Sequence, residues 1–229
     1  RLARVSITIP FDDFIAPPCD EEIDIVFQDE HLLLINKPSG LLSLSGKNQL
    51  NKDSVHHRLV KQFPSAVMVH RLDFGTSGIM VIALTKDITS HLSKQFENRT
   101  VVKTYDAILD GLLKEDSGSI NFPISKDKSD FPRLKICYTE GKFAVSPYEV
   151  LGRNNRDKST RVRFAPTTGR THQLRIHSAG IGHPILGCDL YGSSRTQHGS
   201  NRLLLHAVTL EFDHPVTGVR VLGKCSCPF

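Results

Sequence analysis

The chemistry-bearing part of this chain is one acid and its immediate neighbours. In His70-Arg71-Leu72-Asp73-Phe74-Gly75-Thr76-Ser77-Gly78, Asp73 stands in a turn built from a basic residue, two glycines and small hydroxyls. The apolar run Ala66-Val67-Met68-Val69 precedes the turn. Ile79-Met80-Val81-Ile82-Ala83-Leu84 follows and reads as a buried strand of β-branched and aliphatic residues. A carboxylate carried on a loop between two core segments is positioned for chemistry rather than merely solvated. An Asp in a loop is more often only a solvated turn residue, so the surrounding pattern has to decide.

One competing pattern falls away. The same nine residues contain His-Arg-x-Asp and Asp-Phe-Gly, which protein kinases keep on separate loops. Here one Asp would have to serve both, and no Gly-x-Gly-x-x-Gly occurs in the chain. What the segment closely resembles is the catalytic motif of the RluA family of pseudouridine synthases: His-Arg-Leu-Asp, two variable residues, Thr-Ser-Gly, an apolar strand and Ala83. Further elements similar to that family follow the same order: Asn36-Lys37-Pro38-Ser39-Gly40-Leu41 earlier, then Lys103-Thr104-Tyr105. Gly169-Arg170-Thr171-His172-Gln173-Leu174-Arg175-Ile176-His177 comes next, then Gly182 to Gly187 and Arg202 to Ala207. The resemblance runs from about Ile23 to Pro215.

That resemblance implies an isomerase converting uridine to pseudouridine in structured RNA, with Asp73 as nucleophile and Arg175 as the cation that pairs with it bidentately. Tyr105 would pack its ring against the uracil and help remove the C5 proton, and Leu174 would lie beneath the base. The target uridine must leave the RNA stack, and Arg71 would fill the gap. Arg170 and His172 belong to the same RNA-contacting motif. Within the family, Asn36–Ser43, Lys52-Asp53-Ser54-Val55 and Pro132 to Tyr138 are most similar to the dual-specificity members. Those act on a 23S rRNA stem-loop and on the tRNA anticodon stem-loop. The rival from another class is a catalytically silent RNA-binding or RNA-chaperone protein of the same fold, against which Asp73, Tyr105 and Arg175 stand together. Cys188 follows Gly187 where the family usually has Asp, and the tail from Cys225 departs from the usual ending.

Several elements must position these residues. Ile23–Phe27 and Leu32–Asn36 form a hairpin; Ser54–Phe63 and Asp87–Asn98 have helical spacing. Strands then dominate: Val101–Leu109, Lys135–Tyr138, Val145–Leu151, Thr160–Ala165, Leu203–Phe212 and Val219–Leu222. Thr171 is placed to cap a short helix ending near Gly180–Gly182. Runs of strands with few helices indicate an α+β fold on a mainly antiparallel sheet, in agreement with the pseudouridine synthase fold the resemblance implies. Residues 1–22 are expected to be an N-terminal extension and 23–229 one catalytic domain, with no separate N-terminal RNA-binding domain and a monomeric state.

Composition sets the remaining bounds. No stretch approaches the roughly 20 apolar residues of a membrane helix, so no membrane partner is expected. Five cysteines at irregular spacing do not form a disulfide framework and suggest a reducing, cytoplasmic setting. The net charge of +5 suits a polyanionic partner. From Gly152 to Arg175 seven Lys or Arg stand against one Asp. Within that stretch Arg153, Arg156 and Lys158 read as a basic hairpin tip able to touch RNA phosphates. His172 and His177, five apart, lie on opposite faces of a strand or about 140° apart on a helix, which suits no shared metal ion. No cofactor motif occurs, so neither metal nor cofactor is expected.

Overall fold

A computed structural model describes residues 14–229; the first part of the expected N-terminal extension, residues 1–13, lies outside the described residues. The chain opens with β1 (Asp24–Gln28) and β2 (Leu32–Lys37), an antiparallel hairpin. Asp29 closes it by accepting from the N–H groups of His31 and Leu32, both at 2.8 Å. Two short helices, α1 (Val55–Leu59) and later α2 (Lys86–Glu97), flank β3 (Val67–Met68) and β4 (Ser77–Ala83). Then come β5 (Val102–Asp110), β6 (Ser117–Ile120), β7 (Ile124–Lys126), β8 (Leu134–Ile136), β9 (Ser146–Asn154) and β10 (Ser159–Phe164). The chain ends with α3 (Gln173–Gly180), α4 (Ser194–Gln197), β11 (Leu205–Asp213) and β12 (Arg220–Lys224).

Ten strands form one sheet in the order β1-β2-β4-β11-β5-β10-β9-β6, with β12 added to β11 and β3 to β4; β7 and β8 pair separately. The pairings are antiparallel except that of β4 with β11. All residues of β4 are buried, which accounts for its apolar run from Ile79 to Ala83. α2 packs on it through the buried Ile88 and Leu92, while its buried Gln95 hydrogen-bonds the Asp213 backbone at the end of β11. Thr85 caps that helix by accepting from the Ile88 N–H.

Two larger apolar clusters result, one around β2, β4 and α2, the other around β5, β10 and Leu174, and a smaller third gathers Ile124, Ala144 and Ile176. Tyr105 packs against both of the larger ones. The parallel pairing sets Gly78 opposite Ala207, and Ala207 is in turn opposite Tyr105 on β5. This row of three strands brings the Asp73 loop, which runs into β4 at Ser77, beside Tyr105.

Some elements differ from the sequence reading. α1 ends at Leu59 rather than Phe63; Phe63 precedes Pro64, and a residue before proline is pushed out of the helical region. α3 is not capped by Thr171. Its N-cap is His172 in the left-handed conformation, φ 55°, without a side-chain cap. The Gln173 carboxamide oxygen instead accepts from Arg170 N–H and Thr168 Oγ1. The short strands β3, β6 and β7 were not expected. The described part of the extension, from Phe14, is tied down: Asn51 accepts from Ala16 N–H and donates to the Phe14 carbonyl.

Gly78 has φ +118°, and a Cβ there would lie 2.2 Å from the Ala207 carbonyl oxygen. Gly78→Ala is expected to abolish the cooperative thermal transition seen by calorimetry. Gly152→Ala, where a Cβ meets nothing within 4 Å, should change stability by less than about 0.5 kcal/mol.

Candidate active site

Asp73 is held by its neighbours' backbone. Ser43 Oγ donates to the Leu72 carbonyl at 2.7 Å and accepts from Leu72 N–H at 3.1 Å. On the other side, the Phe74 carbonyl accepts from Gly40 N–H at 3.0 Å and from Lys37 Nζ at 3.2 Å. Ser39 Oγ reaches the Gly75 carbonyl at 2.7 Å. The segment after β2 therefore grips the chain on both sides of the acid. Lys37 is fully buried, its remaining donors satisfied by the Pro38 and Leu41 carbonyls. Burial pulls its ammonium down to about 7, with Cys19 and Asp73 acting in the opposite direction.

Arg175, buried on α3, faces the acid. Its Nη1 lies 3.7 Å from Asp73 Oδ2, while Nη2 hydrogen-bonds Asp189 and Nε donates to Cys188 Sγ at 3.4 Å. The expected bidentate pair with Asp73 is thus replaced by one longer contact. The guanidinium is shared between two carboxylates and lies over the Tyr191 ring, 5.4 Å from its centroid. Burial works against its charge, but Cys188, Asp73 and Asp189 outweigh it, so Arg175 stays cationic above its ordinary range. Cys188, a departure from the family pattern, is here a buried contact of this arginine.

Asp73, Arg71, Tyr105, Arg170, His172, Leu174 and Arg175 all line one cleft of about 700 Å³, a size that suits a small ligand. Tyr105 is held protonated by burial and by the Asp73 charge. Leu174 is buried in the wall. His172 bonds the Tyr191 hydroxyl through Nδ1 at 2.7 Å, and burial lowers its affinity for a proton. Arg170 is anchored on the Phe143 carbonyl at 3.1 Å. His70, the first residue of the motif, is a prop: Nε2 accepts from Val81 N–H at 3.0 Å, and the ring stacks on Phe96. Burial and the Lys103 charge push His70 down to about 3, so it stays a neutral acceptor.

Arg153, Arg156 and Lys158 are not brought to this cleft. Arg153 lies on β9 and donates to the Leu113 and Lys114 carbonyls and to Asp116. The turn carrying Arg156 and Lys158 precedes Ser159, whose partner on β5 is Asp110; the cleft end of β10 is Phe164, opposite Tyr105. Conversely, residue type and spacing alone point to no role for Lys37, Arg99, Lys103 or Asp189. Only once Tyr105 has a role does the place of Lys103, two residues before it, become a signal. Among the described residues no three His, Cys, Asp or Glu side chains form a group able to hold a metal ion.

Residues 31–180 match the family model described as RNA pseudouridylate synthase. The chain belongs to this family. It is therefore an isomerase that converts uridine to pseudouridine in RNA, and the cleft around Asp73 is where the family motif lies. A protein of Yersinia pestis named dual-specificity RNA pseudouridine synthase RluA is 45% identical over 205 residues, 90% of this chain and 99% of that protein. Its namesake in Escherichia coli K12 is 41% identical over 213 residues, covering 93% and 97%. Among solved structures, human RNA pseudouridylate synthase domain containing 1 superposes with a TM-score of 0.77 at 29% identity, covering 93% of this chain and 86% of the human one.

The buried Lys37 of this synthase makes a pH test of the grip on Asp73. Between pH 7 and about 10.4 an unfolded lysine keeps a proton that the folded Lys37 releases. The unfolded state then binds more protons, and stability rises with pH. Urea melts are expected to show the wild type gaining stability over Lys37→Met as the pH rises from 7 to 9.5. Parallel curves would remove the buried ammonium from the grip.

Proposed function

We propose that this synthase acts on uridines in a 23S rRNA stem-loop and in the tRNA anticodon stem-loop, through Asp73 as nucleophile and a flipped-out base. The observation that carries the mechanism is the convergence on one cleft of a gripped carboxylate, a buried arginine and a protonated tyrosine. Support for the substrates is the dual-specificity name borne by relatives over nearly their whole length.

The reaction must break the bond from uracil N1 to the ribose, turn the base, join C5 to C1′ and release the C5 proton, while N1 takes up a proton. A nucleophile divides this into two easier steps. Asp73 is half-buried beside Arg175, so its attacking form has a cation within reach in a site partly withdrawn from water. The uracil leaves as an anion that has to be retained. The Tyr105 ring and Leu174 provide an apolar surface for it, and the Tyr105 hydroxyl is a donor in the resting enzyme. Tyr105 can serve as base at C5 only after the bound substrate alters the burial and charge that now hold its proton.

Arg71 is exposed at the cleft two residues before Asp73. A flat guanidinium there can stack in the space a flipped uridine leaves. Arg156 and Lys158 would touch phosphates only of an RNA extending along β10 beyond the cleft, roughly 20 Å in a six-residue strand. A longer paired stem reaches further along that span.

The test uses stem-loop transcripts of both RNAs carrying tritium at uridine C5, each made with a short and a lengthened stem. Tritium release is expected from both RNAs, and tighter binding from the lengthened stems. Release from one RNA alone refutes dual specificity. Equal affinity for short and long stems refutes the contact by Arg156 and Lys158.

A further inference from the structure

The cleft contains a cation that neither the mechanism nor the fold uses. Lys103 lines the cleft on β5, two residues from Tyr105 and therefore on the same face of the strand. It is half-buried, and no side chain or carbonyl among the described residues accepts from its ammonium. Its Nζ lies against bare backbone: a Cβ on Gly169 would be 3.3 Å from it. His70, the nearby ring, gives it no counter-charge, because its imidazole is neutral and its Nε2 is occupied by Val81 N–H. Burial alone acts on Lys103, lowering its affinity for a proton.

An ammonium taken partly out of water without a partner costs free energy. Lys37 shows how this fold satisfies a buried ammonium that serves the structure, with three carbonyl acceptors. Lys103 has none of these, and its charge faces the cleft. Arg99, which also lines the cleft, is exposed and likewise has no side-chain partner among the described residues. Two unpaired cations in one cleft call for an anion brought by the ligand.

We propose that Lys103, with Arg99 also lining the cleft, binds one of the two backbone phosphates flanking the flipped uridine. The inference rests on the reading of the cleft as a uridine site. Tyr105 and Lys103 are separated by roughly 7 Å along an extended strand, a span one nucleotide covers between its base and its phosphate. The phosphate reaches Lys103 only when the nucleotide has entered the cleft. The contact therefore forms after flipping and stabilises the flipped state over the stacked one, binding a non-reacting part of the substrate to offset the cost of distortion.

The test uses the stem-loop that releases tritium with the wild type, synthesised with a neutral methylphosphonate at the phosphate on the 5′ or the 3′ side of the target uridine. Affinity is measured against salt for the wild type, Lys103→Met and Lys103→Arg. One of the two neutral RNAs should bind the wild type about tenfold more weakly, with the slope of log affinity on log salt shallower by about 0.7. Lys103→Met should show the same loss and slope on the parent RNA, the two changes together should cost no more than either, and Lys103→Arg should restore the slope. The RNA that shows the loss identifies the phosphate. Multiplying losses would overturn the proposal, as would wild-type binding indifferent to both methylphosphonates, a result that stands even if Lys103→Met does not fold. Tritium release from the parent RNA without any phosphate effect sinks only this site. Absence of release from every stem-loop sinks the substrate reading, and the phosphate site with it.

Discussion

A carboxylate that must attack has to be fixed in place and still charged, and the two demands conflict, because fixing it in a protein interior removes the water that keeps it charged. On the proposed mechanism that carboxylate is Asp73, whose loop divides the work. Hydrogen bonds from Ser39, Gly40, Ser43 and Lys37 fix the backbone on either side of it, leaving the carboxyl group itself partly open to the cleft. Arg175 supplies positive charge from the opposite wall at 3.7 Å without enclosing the acid. Its closer bond to Asp189 keeps the guanidinium oriented while Asp73 remains available to substrate.

The sheet exists, in functional terms, to hold those two walls together. β4 and β11 run parallel at the one point where Gly78 allows the backbones to approach, and β5 continues the row to Tyr105. The acid comes from the segment entering β4, the tyrosine from β5 and the arginine from α3, so the cleft lies where the two larger apolar clusters meet. Packing on either side sets the separation of Asp73, Tyr105 and Arg175, and an error in either cluster reaches the cleft through Tyr105.

Much of this was legible in residue order. β4 and α2 follow directly from apolar runs and helical spacing, and Asp73, Tyr105 and Arg175 were visible because their motifs are local. What sequence hides is whatever depends on through-space partners. Lys37 is fully buried, contrary to what lysine ordinarily does, and only the folded loop shows the carbonyls that make this tolerable. Asp189 looked like any polar loop residue until α3 brought Arg175 against it. The basic run from Arg153 to Arg175 reads as a single patch, but a six-residue strand separates its hairpin tip from the cleft, and Arg153 is engaged by Asp116. Short strands such as β6 and β7 carry too few residues to show a period.

The most direct test of the central claim, that the gripped Asp73 carboxylate performs the reaction, is single-turnover tritium release by Asp73→Asn with RNA affinity measured in parallel. The amide keeps the size of the side chain and leaves the hydrogen bonds of Leu72, Phe74 and Gly75 in place. The expected result is release below detection with affinity within about threefold of wild type, a change of under roughly 0.7 kcal/mol. Release within tenfold of the wild-type rate would contradict the account and place the nucleophile elsewhere.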